Sequence, residues 1–247
     1  MIITVLIAGV HDPKWPVSPD SATDSPADYR IMSPFDEAAL EIALRVRDAR
    51  PGTVICVRVA GGGASAKIAR AAAALNIADV ATLANDRPWD QAAMARALAS
   101  LCEGADLVLI GREFGDCDDG LVPPLLAGVL GLPFFGRAQT VEVGDAIRFM
   151  REAERETETL TLFAPLVVSV TNDRRTRLRK PLMKNVMFAR QMDIPAIAAY
   201  PATSSAASLG AWHPGAAQRA ATDCTMVGGG VHKQAAALAE LLWESRA

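Results

Sequence analysis

Residues 53–84 read TVICVRVAGGGASAKIARAAAALNIADVATLA. An apolar, β-branched run ends at Ala60, and Gly61, Gly62 and Gly63 make a turn. An alanine-rich segment with helical spacing follows, and a second β-branched run begins near Asp79. Strand, turn, helix and strand in about 30 residues make one βαβ unit. Its two strands are expected to be parallel, because the helix returns the chain along the face of the sheet.

The same alternation extends in both directions. Ile2 to Val10 is an apolar run expected as a buried strand. HDPKWPVSPDSATDSPADY reads as a long surface loop. SPFDEAALEIALRVRDARPG is expected as a helix, with Ser33 as its cap, Pro34 at its first position, and Asp36 and Glu37 at the positive end of its dipole. Downstream, DVATLA reads as a third strand, Pro88 to Leu101 as a third helix and DLVLIG as a fourth strand, and GLVPPLLAGVLGLP leads into a fourth helix. Four alternations predict an α/β fold: a mostly parallel, doubly wound sheet with helices on both faces.

After Pro133 the pattern changes. AQTVEVGDAIRFMREAERETETLTLF reads as antiparallel strands, and Leu166 to Val170 as a last apolar strand. YPATSSAASLGAWHPGAAQ reads as an extended linker and HKQAAALAELLWESRA as a terminal amphipathic helix. Residues 1–192 are thus expected as an α/β nucleotide-binding domain. Residues 193–247 are expected as a linker and a helix that packs on a partner subunit.

Composition narrows the role. The chain has 247 residues, 51% of them hydrophobic, and a net charge of −3, which disfavours general nucleic-acid or membrane-surface binding. The opening MIITVLIAGVHDP has no basic lead and is expected as a strand and not a signal peptide. The four cysteines contain no CxxC pair, which predicts free thiols in a reducing cytoplasm. The three histidines are isolated and no nucleophile–base arrangement is visible, so no metal or catalytic residue is predicted.

In a parallel sheet, ligands sit at the carboxyl ends of the strands. Four loops share that edge: Ala8 with Gly9; Ser33, Pro34 and Phe35; Ala60 with Gly61; and the stretch from Gly111 to Pro123. In the last of these, Asp116, Asp118 and Asp119 precede Gly120, Leu121, Val122 and Pro123. The backbone N–H groups at this helix start can receive a phosphate. The acids can bond ribose hydroxyls, cap the turn or face solvent. The glycine turn at Gly61 matches neither the spaced dinucleotide fingerprint nor a Walker A loop. A basic run (Arg174, Arg175, Arg177, Arg179, Lys180, Lys184) reads either as solvated surface or as a dock for an acidic partner, with Leu178 or Leu182 as its apolar anchor.

Taken in order, these segments resemble the β subunit of electron transfer flavoproteins. VLIA is similar to that family's first strand, with Ala8 at the nucleotide-contacting alanine. MSPFDEAALEIALRVRD is similar to its Asn-Pro-Phe-acid helix start, with Ser33 in place of asparagine, and VRVAGGGASAKIARAAAALNIAD to its second strand and turn. LVLIGREFGDCDDGLVPPLLAGVLGLP resembles its nucleotide loop, with Leu121 where glutamine and Pro123 where glycine are usual. REAERETETLTLFAPLVVSV resembles the family signature, with Arg155-Glu156 at the glycine pair, and PLMKNVMFAR the segment after the partner-recognition loop.

The resemblance implies a non-catalytic electron carrier that forms a heterodimer with an α subunit. FAD would be held mainly by that partner, and structural AMP would lie at the edge loops of this chain. Electrons would pass from a donor dehydrogenase to a membrane quinone reductase. Arg174, Arg175, Arg177 and Leu178 stand at the donor-docking loop. Two alternatives remain: an electron-bifurcating type with a second FAD in this subunit, and a stand-alone adenine-nucleotide-binding regulatory module.

Overall fold

In a computed structural model the first apolar run forms β1 (Ile2–His11), flanked by parallel strands on both sides. Residues 1–15, 30–61, 65–83, 90–154, 156–163, 165–198 and 226–244 are described. They fall in two units, Met1–Leu209 and Gly210–Ala247.

β1 alternates between two cores. Ile3, Val5 and Ile7 enter one and Leu6 and Ala8 the other, all at most 7% exposed. A strand covered on both faces has no polar side to show, which is why its sequence reads as unbroken apolar residues. Its neighbours are β3 (Val54–Ala60) and β5 (Leu107–Gly111). Beyond β3 come β4 (Asp79–Leu83) and β11 (Ala196–Ile197); beyond β5 come β10 (Leu166–Val170) and β6 (Phe134–Ala138). Every pair along this path is parallel. A short β2 (Arg30–Met32) runs antiparallel to the end of β1, with Gly9 opposite Met32.

The first core is covered by α1 (Pro34–Ala49) and α2 (Ser65–Ala73), and the second by α3 (Gln91–Ala99) and α4 (Val122–Leu130). Ser33 caps α1, its Oγ accepting from Asp36 N at 3.0 Å, with Pro34 in the first turn as expected. A separate antiparallel sheet of β7 (Thr140–Val143), β8 (Ile147–Ala153) and β9 (Glu156–Thr161) follows β6, and Phe149 enters the first core fully buried. α5 (Met183–Gln191) comes after β10. In the second unit, α6 (Val231–Glu244) carries Leu238, Leu241 and Leu242 at one-face spacing.

The α/β architecture agrees with the sequence reading, and three details differ. β6 was not expected, because Gly136 and Arg137 interrupt its apolar run and Arg137 adopts a φ of 59°. The short β2 and β11 carry too little pattern to be seen. β11 also moves the expected boundary at residue 192: Thr82 N donates to Pro195 O at 2.9 Å, so residues 195–197 belong to the sheet edge. The expected linker at 200–218 lies outside the described residues.

Leu109 lies in the middle of β5, fully buried and packed in the first core. Leu109→Ala is expected to cost about 2–5 kcal/mol. Urea denaturation should show a lower midpoint with an unchanged slope.

Candidate functional site at the sheet edge

β3 and β5 end in Ala60 and Gly111, and Ala8 lies opposite Ala60 on β1; these small residues let flanking segments close over the edge. A Cβ at Gly111 would stand 2.6 Å from Asp36 Oδ1 and 3.1 Å from Phe35 Cβ, so the start of α1 rests directly against the end of β5. Asp36 is wholly buried there, and Oδ2 accepts from Ala8 N at 3.4 Å. Oδ1 has no hydrogen-bond partner among the described residues. Burial pushes the Asp36 carboxyl up from 3.8 to about 7, against the lowering effect of its bonds to Ser33 and Ala8.

The acidic loop between β5 and α4 is closed by its own side chains. Asp118, 7% exposed, accepts from Phe114 N (2.7 Å), Gly120 N (2.9 Å), Leu121 N (2.8 Å) and Val122 N (3.1 Å). Gly120 makes the reversal at φ 97°, a backbone angle natural to glycine. Asp116 accepts from His11 N at 2.9 Å and pairs with Arg30 at 2.9 Å. Asp119 accepts from Gln91 Nε2 at 3.2 Å. Of the three roles open to these acids, Asp118 takes the cap. The N–H groups expected to receive a phosphate at the start of α4 are therefore already bonded, because an internal carboxylate occupies the place of an external anion.

The structure gathers only some of the expected binding residues. Ala8, Gly9, Ala60 and Gly61 meet Asp116 in a recess of about 60 Å³ that Phe114, Gly115 and Cys117 also line. Ser33, Pro34 and Phe35 do not line it; they form the start of α1 by Gly111. Leu121, Val122 and Pro123 form the start of α4, with Leu121 half exposed and Val122 buried. Small-molecule sites typically span about 300–1,000 Å³. The recess among the described residues is smaller than that.

Arg30 is a site residue that the sequence reading missed. Its Nη1 donates to Gly9 O at 2.6 Å while pairing with Asp116, which ties β2 to the loop after β5. A single arginine in a three-residue strand gives no periodic signal. Among the described residues no group of three or more His, Cys, Asp or Glu could hold a metal, and no helix is long and apolar enough to cross a membrane. Cys56, Cys102 and Cys117 are free thiols. Burial pushes Cys102 up to about 12 and Cys56 up to about 11.

The basic loop is less free than its composition suggests. Asp173 caps a short turn at Arg174–Thr176 and pairs with Arg175 at 2.8 Å, and Arg175 also pairs with Glu152 at 3.0 Å. Arg45 donates to Arg175 O. Arg179 reaches Glu41 at 3.0 Å and Asp48 at 2.5 Å, both on α1. Partial burial raises Glu41, but the Arg179 hydrogen bonds outweigh this and hold it below the usual carboxylate range. Leu178 was expected as an exposed anchor; it is half-buried and packs against the first core. Arg174, Arg177, Lys180 and Lys184 are exposed and make no ion pair among the described residues, with Leu182 at 62% and Met183 at 75%. The physical reason is pairing: carboxylates on α1 draw Arg179 in, and the neighbouring Leu178 follows.

Comparison with known proteins adds the family. The electron transfer flavoprotein domain matches residues 27–202. The chain is similar to the electron transfer flavoprotein subunit beta of Mycobacterium leprae (strain TN), with 31% identity over 186 residues, covering 71% of this chain and 69% of that one. It is also similar to the subunit of that name from Syntrophomonas wolfei, at 29% identity over 70% of each chain. The Megasphaera elsdenii subunit matches at 28% identity over 73% of this chain and 71% of its own.

Asp36 makes stability depend on pH. Between about 4 and 7 the folded chain keeps a proton that the unfolded chain has released, so stability from this group is greatest at low pH and falls as pH rises towards 7. The full loss is on the order of 4 kcal/mol. Asp36→Asn should abolish that fall, which is checked by comparing urea midpoints of both proteins at pH 5 and pH 8.

Proposed function

Because the chain belongs to the electron transfer flavoprotein family, we propose that it is the β subunit of a heterodimer in which an α subunit carries the flavin. The observation that carries this reading is the extent of the match. Residues 27–202 take in the start of α1, the loop between β5 and α4 and the basic loop, all within one sheet-edge architecture. Bound flavin would accept and release the electrons. This chain's part is to position a partner and to keep its own edge closed, and no side chain in it is assigned a bond-making step. Electrons would come from a donor dehydrogenase and pass to a membrane quinone reductase.

The same reading keeps structural AMP at the edge loops of this chain, where Asp118 already engages the N–H groups at the start of α4 and the recess among the described residues is about 60 Å³. A second FAD would need more room still. Co-expression with the α subunit and extraction of the purified complex separates the readings. One FAD per heterodimer is expected. Two would indicate the bifurcating type. A chain that purifies alone, without flavin or α subunit, would sink the proposal in favour of a stand-alone module.

Donor docking falls to the outward side of the basic loop, where Arg174, Arg177 and Leu182 are exposed. Exposed charges act mainly on association rate and are screened by salt. Reversing both arginines to glutamate should slow donor-dependent flavin reduction about tenfold at low salt and flatten its salt dependence. Flavin content should not change. Stopped-flow reduction at several ionic strengths reads both effects, and unaltered rates would leave the loop as ordinary surface.

A further inference from the structure

A groove of about 710 Å³ lies between α2 and α5, with β2 and residues 178–181 completing its walls. It is separate from the recess at Ala8 and shares only Arg30 with it. We propose that this groove binds a long-chain carboxylate, with the hydrocarbon chain between the helices and the carboxylate at Arg70 and Arg190. The assignment stands on the groove and does not depend on the heterodimer.

The groove exists because the α2 segment is built from alanines. Ala66 and Ala71 on α2 and Ala74 just after it present only methyl groups to the groove, which leaves space where larger side chains would interlock. The most buried wall residues are Met32, Ile68, Leu75 and Ala189, each at most 9% exposed. Met32 is the flexible member of that set and can adjust to a chain lying on it. An open groove of this kind leaves hydrocarbon surface against water, so an apolar occupant is favoured. Its volume falls within the about 300–1,000 Å³ typical of small-molecule sites.

The side-chain types in the wall narrow the occupant. Among the described residues the wall contains no hydroxyl, amide, imidazole or aromatic side chain. A sugar, nucleotide or peptide would bring in polar atoms that find no side-chain partner along the apolar part, and burying an unpaired polar group is costly. A planar ring would find no aromatic face to stack on. A hydrocarbon chain needs neither. The polar part of the ligand then belongs at one end, beside the charged groups.

Most of those groups are cations, and two of them are unspent. Arg30 pairs with Asp116, and Arg179 with Glu41 and Asp48. Arg70 on α2 and Arg190 on α5 make no ion pair among the described residues. Arg70 donates through Nη1 to Ala66 O at 3.5 Å, a long bond. Lys67 adds a third positive charge to the wall. Glu37 is the acid there; burial raises its carboxyl, and the charge of Arg177 works against this. The balance favours an anion, and the guanidinium fork matches the two oxygens of a carboxylate.

Calorimetric titration of the full chain with octanoate, decanoate, 1-decanol and decyltrimethylammonium tests this. Decanoate should bind about tenfold more tightly than octanoate, as two further buried CH2 groups require. It should also bind more tightly than 1-decanol, with the cation weakest. The double variant Arg70→Gln/Arg190→Gln should weaken decanoate at least tenfold and leave 1-decanol unchanged. Ala71→Trp should fill the groove and abolish binding of both. Ala71 and Arg190 are exposed and Arg70 is half-buried, so circular dichroism should show these variants folded. Decanoate affinity unaffected by both the double variant and Ala71→Trp would overturn the proposal, as would decyltrimethylammonium binding as tightly as decanoate. It would equally fail if none of the four bound; a loss of assembly with an α subunit in Ala71→Trp would then mark the groove as a protein interface.

Discussion

The carboxylate of Asp118 holds the functional edge together. Four backbone N–H groups from Phe114 to Val122 converge on its two oxygens at 2.7–3.1 Å. Hydrogen bonds to a charged acceptor are worth more than neutral ones, and leaving buried donors without a partner is costly, so this one side chain sets the path from β5 to α4. The same loop walls the Ala8 recess through Phe114–Cys117. The Asp118 cap therefore keeps the recess small.

A second constraint joins the basic loop to the body of the protein. Glu41 is nearly buried on α1 and needs a cation; Arg45 supplies one from the next turn and Arg179 another from across the fold. The Arg179 pair is partly open to solvent, so its stabilising effect is modest. Its consequence is geometric. It brings residues 177–181 against α1, turns Leu178 towards the core and leaves Arg174 and Arg177 facing out. A run of like charges thus divides into structural arginines and available ones.

The acid of α1 illustrates another division of roles. Asp36 stands in the first turn, where a negative charge meets the positive end of the helix dipole. Burial against Gly111 opposes that charge and favours the protonated form near neutral pH. The position suits a helix start, while its surroundings make the same residue a source of pH sensitivity at the junction of β1, β5 and α1.

Local and periodic features were legible in the sequence alone. The strand runs at Ile2, Val54, Leu107 and Leu166 and the cap at Ser33 with Pro34 each depend on neighbours within a few residues, so the α/β architecture followed from them. The order of motifs carried the family as well, despite Leu121 and Pro123 at unusual places. Other features depend on contacts between residues far apart in the chain. Arg30 meets Asp116 across 86 positions and Arg179 meets Glu41 across 138, while Arg70 and Arg190 share one groove although each lies in a different element. No spacing rule encodes such meetings, because they are set by how β2, α1, α2 and α5 pack. Sequence determined which elements form and where their loops lie; tertiary packing decided which charges are spent on the fold and which remain for a ligand.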